Sequence, residues 1–321
     1  MINILQYQDL VEKVFKNERR KVARAISIVE DYNSEASELL KLIHSHVGKA
    51  YRIGITGPPG AGKSTITNQL TKLFRSAGKK IGIIAVDPTS PFTGGALLGD
   101  RIRMNEIGND ENVFIRSMAT RGSLGGLSKK AIDAADILDA AGYDYIILET
   151  VGVGQSELDI VQAADTTIVI LVPESGDSVQ AMKAGLMEIA DFFVLNKSDR
   201  PGADQAVASL QTTLMMKDHD ENSWIPGIIK TIASENKGLQ DVLNEIERHR
   251  SFMANNFFLA KREKQAKNRI KDIVESKIRE QLWSESGEKS LNSTLEKVIL
   301  GNLSPYHIAE EIIENFIKQK Q

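Results

Sequence analysis

The sequence has no cysteine and almost no surplus of charge. Without cysteine in its 321 residues, disulfide bonds, thiolate metal ligands and cysteine nucleophiles are all excluded. The 40 basic and 43 acidic side chains give a formal net charge of −3, which provides no overall positive surplus for a nucleic-acid backbone. We therefore expect no nucleic acid among the partners, and a reducing cytoplasmic environment.

Long apolar runs are also missing. No apolar stretch approaches the roughly 18 residues that a membrane-spanning helix needs. The opening segment 1–20 mixes charged and apolar positions and lacks the apolar core of a secretory signal. The hydrophobic share of 41% is ample for a buried core. These features predict a soluble, cytoplasmic protein without membrane contact.

The spacing of apolar residues divides the chain into three parts. Residues 1–48 show helical periodicity and predict two or three amphipathic helices. Residues 49–238 alternate short β-branched runs with helical stretches, which is typical of a mostly parallel α/β sheet flanked by helices. Residues 239–321 predict a charged helical extension: a long helical segment to Trp283, a linker or hairpin at Ser284 to Lys289, and two shorter segments, 291–300 and 305–318. The predicted strands are 52–56, 81–87, 113–116, 145–149, 167–172, 192–196 and 227–232.

A glycine-rich loop follows the first predicted strand and precedes a helix, in the order of a P-loop NTPase. Glycines let backbone N–H groups converge on phosphate oxygens, and the helix amino terminus adds partial positive charge. Lys63 is expected to reach the β- and γ-phosphates, and Ser64 to ligate Mg²⁺. The predicted nucleotide-binding residues of this loop are Gly57, Pro58, Pro59, Gly60, Ala61, Gly62, Lys63, Ser64 and Thr65.

A second motif, Asn196, Lys197, Ser198 and Asp199, ends a later apolar strand and is similar to the guanine-specificity motif of GTPases. A carboxylate at Asp199 would accept two hydrogen bonds from the ring N–H and exocyclic amine of guanine, a pair that adenine cannot offer. The motif therefore predicts GTP and GDP as ligands. Capping of the following helix is the alternative role.

Asp87 and Asp100 are candidates for the magnesium site, and Glu149 and Gly152 are candidate sensors of the γ-phosphate. Asp87 closes a strand, and Asp100 lies in the glycine- and proline-rich segment that follows. Their oxygens suit Mg²⁺, although helix capping and turn formation are alternative roles for both. Glu149 ends another strand, where ordinary GTPases have an aspartate, and Gly152 is the expected γ-phosphate sensor. A further loop, 173–185, follows an apolar strand and should lie at the same sheet edge, with a capped helix start as the alternative.

Together these motifs resemble the MeaB type of P-loop GTPase, the G-protein chaperones of methylmalonyl-CoA mutase. The most specific stretches are 57–65, 87–104, 121–127, 149–157 and 303–308. The resemblance implies a GTP-fuelled cycle that gates cofactor loading or protection of an adenosylcobalamin-dependent acyl-CoA mutase, and a homodimer built with the C-terminal helices. It also implies that Asp87, Asp100 and Glu149 organise Mg²⁺, and that Asp177 and Lys183 belong to a partner-responsive switch. Lys63, Asp100, Glu149 and Lys183 are thus the predicted catalytic residues.

One part of the sequence departs from the common GTPase pattern. Where many GTPases place a serine–alanine pair, this chain reads Thr231 to Glu235, with Ser234 as the candidate base contact.

Three other functions also use a glycine-rich phosphate loop. A metal-insertion GTPase usually carries cysteine or histidine clusters, and here only His44 and His46 lie close in sequence. A transport ATPase or small-molecule kinase fits the P-loop but not Asp199. A structural protein with a vestigial site fits poorly with Lys63 and Ser64.

Overall fold

Seven parallel strands form one sheet in the larger of the two units of the chain. The computed structural model describes residues 4–31, 34–87, 105–119, 129–150, 156–173, 184–216, 223–254 and 257–318. The strand order is β3-β2-β4-β1-β5-β6-β7, and every neighbouring pair is parallel. All seven predicted strands are confirmed: β1 (Tyr51–Thr56), β2 (Ile81–Asp87), β3 (Val113–Ala119), β4 (Tyr145–Thr150), β5 (Thr166–Leu171), β6 (Phe192–Asn196) and β7 (Ile228–Thr231).

Helices cover both faces of this sheet, which explains why the central strands are apolar throughout. Every residue of β4, β5 and β6 is buried. Successive side chains of a strand point to opposite faces. Accordingly, Ile168 and Ile170 pack in one apolar cluster, whereas Val169 and Leu171 pack in another on the other face. The predicted α/β fold with a P-loop NTPase-like sheet is confirmed.

The described helices lie before, between and after the strands in sequence. Three of them precede β1, as predicted, and those of the second unit follow Phe258. Short 3₁₀ helices occur at His44–His46 and Ala233–Glu235. The α-helices are α1 (Ile4–Phe15), α2 (Arg19–Asp31), α3 (Ser34–Ile43), α4 (Lys63–Ser76), α5 (Asn105–Gly108), α6 (Lys129–Ala140), α7 (Ser156–Ala163), α8 (Ala184–Ile189), α9 (Ala203–Met215), α10 (Leu239–Ala254), α11 (Phe258–Leu282), α12 (Glu285–Ile299) and α13 (Pro305–Lys318).

A buried carboxylate fastens the N-terminal helices to the sheet. Asp139 of α6 accepts hydrogen bonds from the backbone N–H groups of Gly48, Lys49 and Ala50, at 2.8, 3.1 and 2.9 Å. Arg52 of β1 forms an ion pair with the same carboxylate. Because this network closes the chain onto α6 just before β1, residues 1–48 belong to the same compact unit as the sheet.

The first helix after the sheet, α10, also packs in the larger unit. Its residues Leu239, Val242 and Ile246 are buried in the core. The Tyr145 hydroxyl donates to Glu247 at 3.0 Å, and burial raises the pKa of Tyr145 to about 12, so this phenol remains a hydrogen-bond donor near neutral pH. The two compact units divide after Phe258, whereas the sequence placed the start of the C-terminal extension at residue 239.

The C-terminal unit, Leu259–Gln321, contains helices with few buried residues. The predicted long helical segment to Trp283 consists of two helices, α10 and α11. The break predicted at Ser284 to Lys289 lies at Trp283 and Ser284, between α11 and α12. Gly287 itself lies within α12, whose first turn carries Glu285 and Glu288 beside the positive end of the helix dipole. A Cβ at position 287 would lie 1.8 Å from the Leu282 carbonyl oxygen, so glycine allows a close helix junction. None of the described helices is both long enough and apolar enough to span a membrane.

Candidate functional site

The carboxyl ends of the parallel strands bring the predicted nucleotide motifs to one edge of the sheet. The glycine-rich loop leads from Thr56 at the end of β1 to Lys63 at the start of α4. Glu149 lies near the end of β4, Asn196 ends β6, and Thr231 ends β7. Because β1 neighbours both β4 and β5, the phosphate loop occupies the middle of this edge.

Two glycines of the phosphate loop occupy positions where a side chain would not fit. Gly57 has φ 139° and Gly62 has φ 93°, both in the left-handed region. A Cβ at Gly57 would lie 2.1 Å from the Ile170 carbonyl oxygen, and one at Gly62 would lie 2.3 Å from Nδ2 of Asn196. Close packing against β5 and β6 therefore requires glycine at both positions.

The Lys63 ammonium group lies inside the phosphate loop. Its side chain is buried, with 7% exposed, and Nζ donates to the carbonyl oxygens of Gly57 at 2.8 Å and Pro58 at 3.0 Å. An ammonium has three donors and no acceptor. Lys63 could thus donate to a phosphate oxygen in place of a carbonyl oxygen without moving. Its positive charge is the charge that phosphate binding requires.

Ser64 and Glu149 form the described part of the predicted magnesium site. The Ser64 hydroxyl donates to Oε1 of Glu149 at 2.5 Å, and Glu149 is only 5% exposed. A hydroxyl and a carboxylate are the hard oxygen ligands that Mg²⁺ prefers, so the donor set fits this ion. Among the described side chains there is no cluster of three or more His, Cys, Asp or Glu residues that could hold a metal. Ser64 and Glu149 could therefore hold Mg²⁺ together with phosphate oxygens and water.

Asp87 reaches the same region through its backbone. It ends β2, and the preceding residue Val86 pairs with Thr150, which directly follows Glu149. The Asp87 side chain, and all of Asp100, Gly152, Asp177 and Lys183, lie outside the described residues. Their proposed roles at the magnesium site and in the switch remain predictions from the sequence.

Asn196 connects the phosphate loop to the loop after β7. Its Nδ2 donates to the Ala61 carbonyl at 2.8 Å. Its Oδ1 accepts from the Thr231 hydroxyl and from the Ala233 backbone N–H, both at 3.1 Å. The sequence analysis missed Thr231 and Ala233, although their position directly after a strand at this sheet edge was a signal for them. A buried amide with all of these partners fixes the two loops relative to each other.

The remaining residues of the base motif lie on the exposed side of this arrangement. Lys197, in a left-handed conformation with φ 57°, donates to the Gly60 carbonyl at 2.8 Å. Asp199 and Ser234 are exposed. A hydrogen bond to Glu235 raises the pKa of Lys237, and the nearby charge of Asp199 raises it further. The Ser198 backbone N–H donates to the Thr231 carbonyl at 3.1 Å, so the base motif adjoins the loop after β7.

His44 and His46, the pair considered for metal insertion, lie in the 3₁₀ helix after α3. The His46 ring stacks on Phe15 with 3.7 Å between the ring centroids, and its Nδ1 is 3.1 Å from the Ser45 hydroxyl. His44 is exposed. The contacts of His46 are those of a packed aromatic ring.

Comparisons with known proteins agree with this geometry. Residues 22–287 match the family described as methylmalonyl Co-A mutase-associated GTPase MeaB. The chain is 46% identical over 312 residues to a putative GTPase of Pyrococcus abyssi, covering 96% of each sequence. It is 37% identical over 253 residues to the GTPase ArgK of Escherichia coli, covering 77% of this chain and 76% of that protein.

A mammalian relative and a solved structure extend these similarities. The chain is 32% identical over 320 residues to the mitochondrial methylmalonic aciduria type A homolog of Mus musculus, covering 94% of this chain and 77% of that protein. A crystal structure of a LAO/AO transport system kinase matches with a TM-score of 0.74 and 28% identity, over 99% of both chains. The fold is therefore shared over nearly the whole chain.

Proposed function

Since this chain belongs to the MeaB family of methylmalonyl-CoA mutase-associated GTPases, we propose that it is a GTP-hydrolysing chaperone of an adenosylcobalamin-dependent acyl-CoA mutase. Its relatives are named GTPases, and its P-loop NTPase-like fold supports nucleotide hydrolysis. The preference for GTP, the use of Mg²⁺ and the mutase partner are the parts that we propose. In this role the chain would gate the loading or protection of the mutase cofactor.

The observation that carries the nucleotide part of this proposal is the side chain of Asn196. By bonding to Ala61, Thr231 and Ala233, it holds the phosphate loop and the base-side loop together. A nucleotide spans these two loops with its phosphates and its base. The same contacts support a pre-formed site, which lowers the ordering cost of binding.

The described residues have distinct roles in the proposed hydrolysis. Lys63 would donate to the β- and γ-phosphates, whose charge grows at the leaving oxygen in the transition state. Ser64 and Glu149 would hold Mg²⁺, which supplies further positive charge to these phosphates when bound. Asp100 and Gly152 are proposed to complete the metal and γ-phosphate contacts.

Replacing Asp199 with asparagine is expected to weaken GTP and GDP binding by about tenfold to a hundredfold, because the charge-assisted pair to guanine is worth about 1.5 to 3 kcal/mol. Xanthine nucleotides should gain affinity, since their 2-oxo group accepts from an amide donor. Calorimetry with both nucleotides measures the change. Asp204→Asn is the matched control, because Asp204 is exposed at the start of the neighbouring helix α9. Equal affinity of the wild type for GTP and ATP would contradict the assignment of Asp199.

The apolar face of α11 supports the proposed homodimer. Ile270, Ile273, Val274 and Ile278 are 62%, 41%, 49% and 48% exposed, and they recur at helical spacing. Exposed apolar side chains arranged as one stripe mark an interaction surface. A second copy of the chain would bury this stripe.

Cutting the chain after Phe258 is expected to leave a monomer that still binds GTP, because the sheet and α10 remain intact. A cut near Arg248 would instead remove His249 and Met253, which are buried, and would destabilise the larger unit. Light scattering gives the mass of each form. In the full-length chain, Ile270→Asp should dissociate the dimer, whereas Asn268→Asp, on the opposite side of α11 by helical spacing, should not. A monomeric full-length wild type would refute the proposed dimer.

A small-molecule kinase would use the same kind of phosphate loop, and one assay separates it from the proposed GTPase. A small-molecule kinase transfers phosphate to an acceptor, whereas a GTPase releases it to water. Phosphate release from GTP without any acceptor, and competition of that reaction by GDP but not ADP, supports the proposed GTPase. ATP consumption that requires a small-molecule acceptor would support the kinase.

A further inference from the structure

Two buried threonine hydroxyls meet beside the phosphate loop. Thr56 is the last residue of β1 and Thr150 is the last residue of β4, with 0% and 1% of their surface exposed. The Thr150 hydroxyl donates to the Thr56 hydroxyl at 2.9 Å. Thr56 directly precedes Gly57 of the phosphate loop, and Thr150 directly follows Glu149. This bond therefore joins the two segments that carry the proposed phosphate and metal ligands.

The position of this hydrogen bond in the sheet holds the ends of β1 and β4 together. The last paired residues of β1 and β4 are Ile55 and Glu149, so the hydroxyl bond links the two strands one residue beyond the regular pairing. Because side chains alternate along a strand, Thr150 points away from the face on which Glu149 contacts Ser64. The end of β4 is thus held on one face by the hydroxyl pair and presents its carboxylate on the other.

Because the two hydroxyl groups are buried, each needs a hydrogen-bond partner. Valine has nearly the same shape as threonine and would fill either position without needing a partner, whereas a buried hydroxyl that lacks its hydrogen bond is destabilising. Thr150 donates and Thr56 accepts, so their hydrogen bond fixes a direction as well as a distance. Hydrogen bonds around a metal ligand orient that ligand, and this bond would do so from the residue next to Glu149.

We propose that Thr56 and Thr150 are positioning residues, whose hydroxyl bond sets the Glu149 carboxylate against the Ser64 hydroxyl for magnesium binding. This inference rests on the proposed GTPase function. It assigns to Thr150 an effect on magnesium that acts through Glu149, without contact between Thr150 and the nucleotide.

Thr150→Val tests this assignment, because it removes the donor and keeps the side-chain volume. The Mg²⁺ concentration that half-maximally slows release of a fluorescent GDP should rise about threefold to tenfold, which is the range of one lost hydrogen bond. Release of the same GDP in EDTA should stay within about twofold of the wild type. Thr150→Ser retains the donor and should restore the wild-type Mg²⁺ dependence.

Two further variants separate positioning from general stability. Thr56→Val should reproduce the Mg²⁺ effect, and the double variant should be no worse than either single one, because the two hydroxyls act as one unit. Thr71→Val is the matched control: Thr71 is fully buried in α4 and donates to the Thr67 carbonyl at 2.7 Å. It should lower the melting temperature without changing the Mg²⁺ dependence.

The outcomes distinguish this inference from the proposed function. If the wild type hydrolyses GTP but Thr150→Val keeps the wild-type Mg²⁺ dependence, the positioning role is wrong while the GTPase stands. If the wild type neither binds nor hydrolyses GTP, the proposed function fails and this inference fails with it. Should Thr150→Val not fold, Thr56→Val decides by the same two measurements.

Discussion

Replacing Lys63 with alanine is expected to lower the rate of GTP hydrolysis by roughly 10² to 10³-fold, the usual effect of removing one donor to developing charge. The structure gives the reason. The ammonium group is buried within the loop, bonded to the carbonyls of Gly57 and Pro58, so no other described cation can take its place. The neighbouring Lys197 already donates to Gly60. Steady-state phosphate release with saturating GTP measures the loss.

The control for this variant is Lys72→Ala, because Lys72 is an exposed residue on the same helix. It should hydrolyse GTP at the wild-type rate. The Lys63 variant should also weaken binding of GTP more than binding of GDP, since the γ-phosphate adds charge that this lysine would contact. Retention of more than a tenth of the wild-type rate would show that Lys63 does not act on the transferred phosphate.

Adding a cobalamin-dependent acyl-CoA mutase is expected to accelerate hydrolysis by the wild type, and Lys183→Ala should lose that acceleration while still binding GTP. The phosphate loop contains no arginine that could act on the phosphates in cis. A cation supplied by a partner-dependent step is typically worth about 10³ to 10⁵ in rate, and a lysine should give the lower end or less. Phosphate release with and without mutase measures both proteins.

Lys79→Ala is the control for Lys183. Lys79 is an exposed lysine just before β2, at the edge of the sheet opposite the phosphate loop. Stimulation of the Lys183 variant to the wild-type level would move the role to another cation, of which Arg101, Arg103 and Arg121 are the candidates in the sequence. Loss of GTP binding in Lys183→Ala would instead make this lysine part of the basal site.

The sheet and the phosphate loop were predictable because their signals are local. Each strand is a short β-branched run, and the loop from Gly57 to Thr65 is one contiguous motif between a strand and a helix. The extent of the larger unit was not predictable in this way. The apolar spacing of Leu239, Val242 and Ile246 is the same whether α10 packs on its own sheet or on a partner.

Contacts between residues that are far apart in sequence were also not predictable. The partners of Asn196 include Ala233, 37 residues away in sequence, and Ala61, 135 residues away, and no local pattern indicates that either backbone group would bond to a side chain at the end of β6. The same holds for Thr56 and Thr150, which are 94 residues apart. The predicted ligands Ser64 and Glu149 do meet, because Ser64 follows β1, Glu149 lies near the end of β4, and these two strands are neighbours in the sheet.

The most direct test of the proposed function is nucleotide-dependent binding of the mutase to the wild-type chain. The protein would be titrated with methylmalonyl-CoA mutase in three states: without nucleotide, with GDP, and with a non-hydrolysable GTP analogue, each with Mg²⁺. If the chain is a GTP-driven chaperone, the mutase binds, and its affinity differs between the GDP and GTP-analogue states by about fivefold or more, because binding of the two ligands is thermodynamically linked. No binding in any state, or the same affinity in all three, would contradict this account.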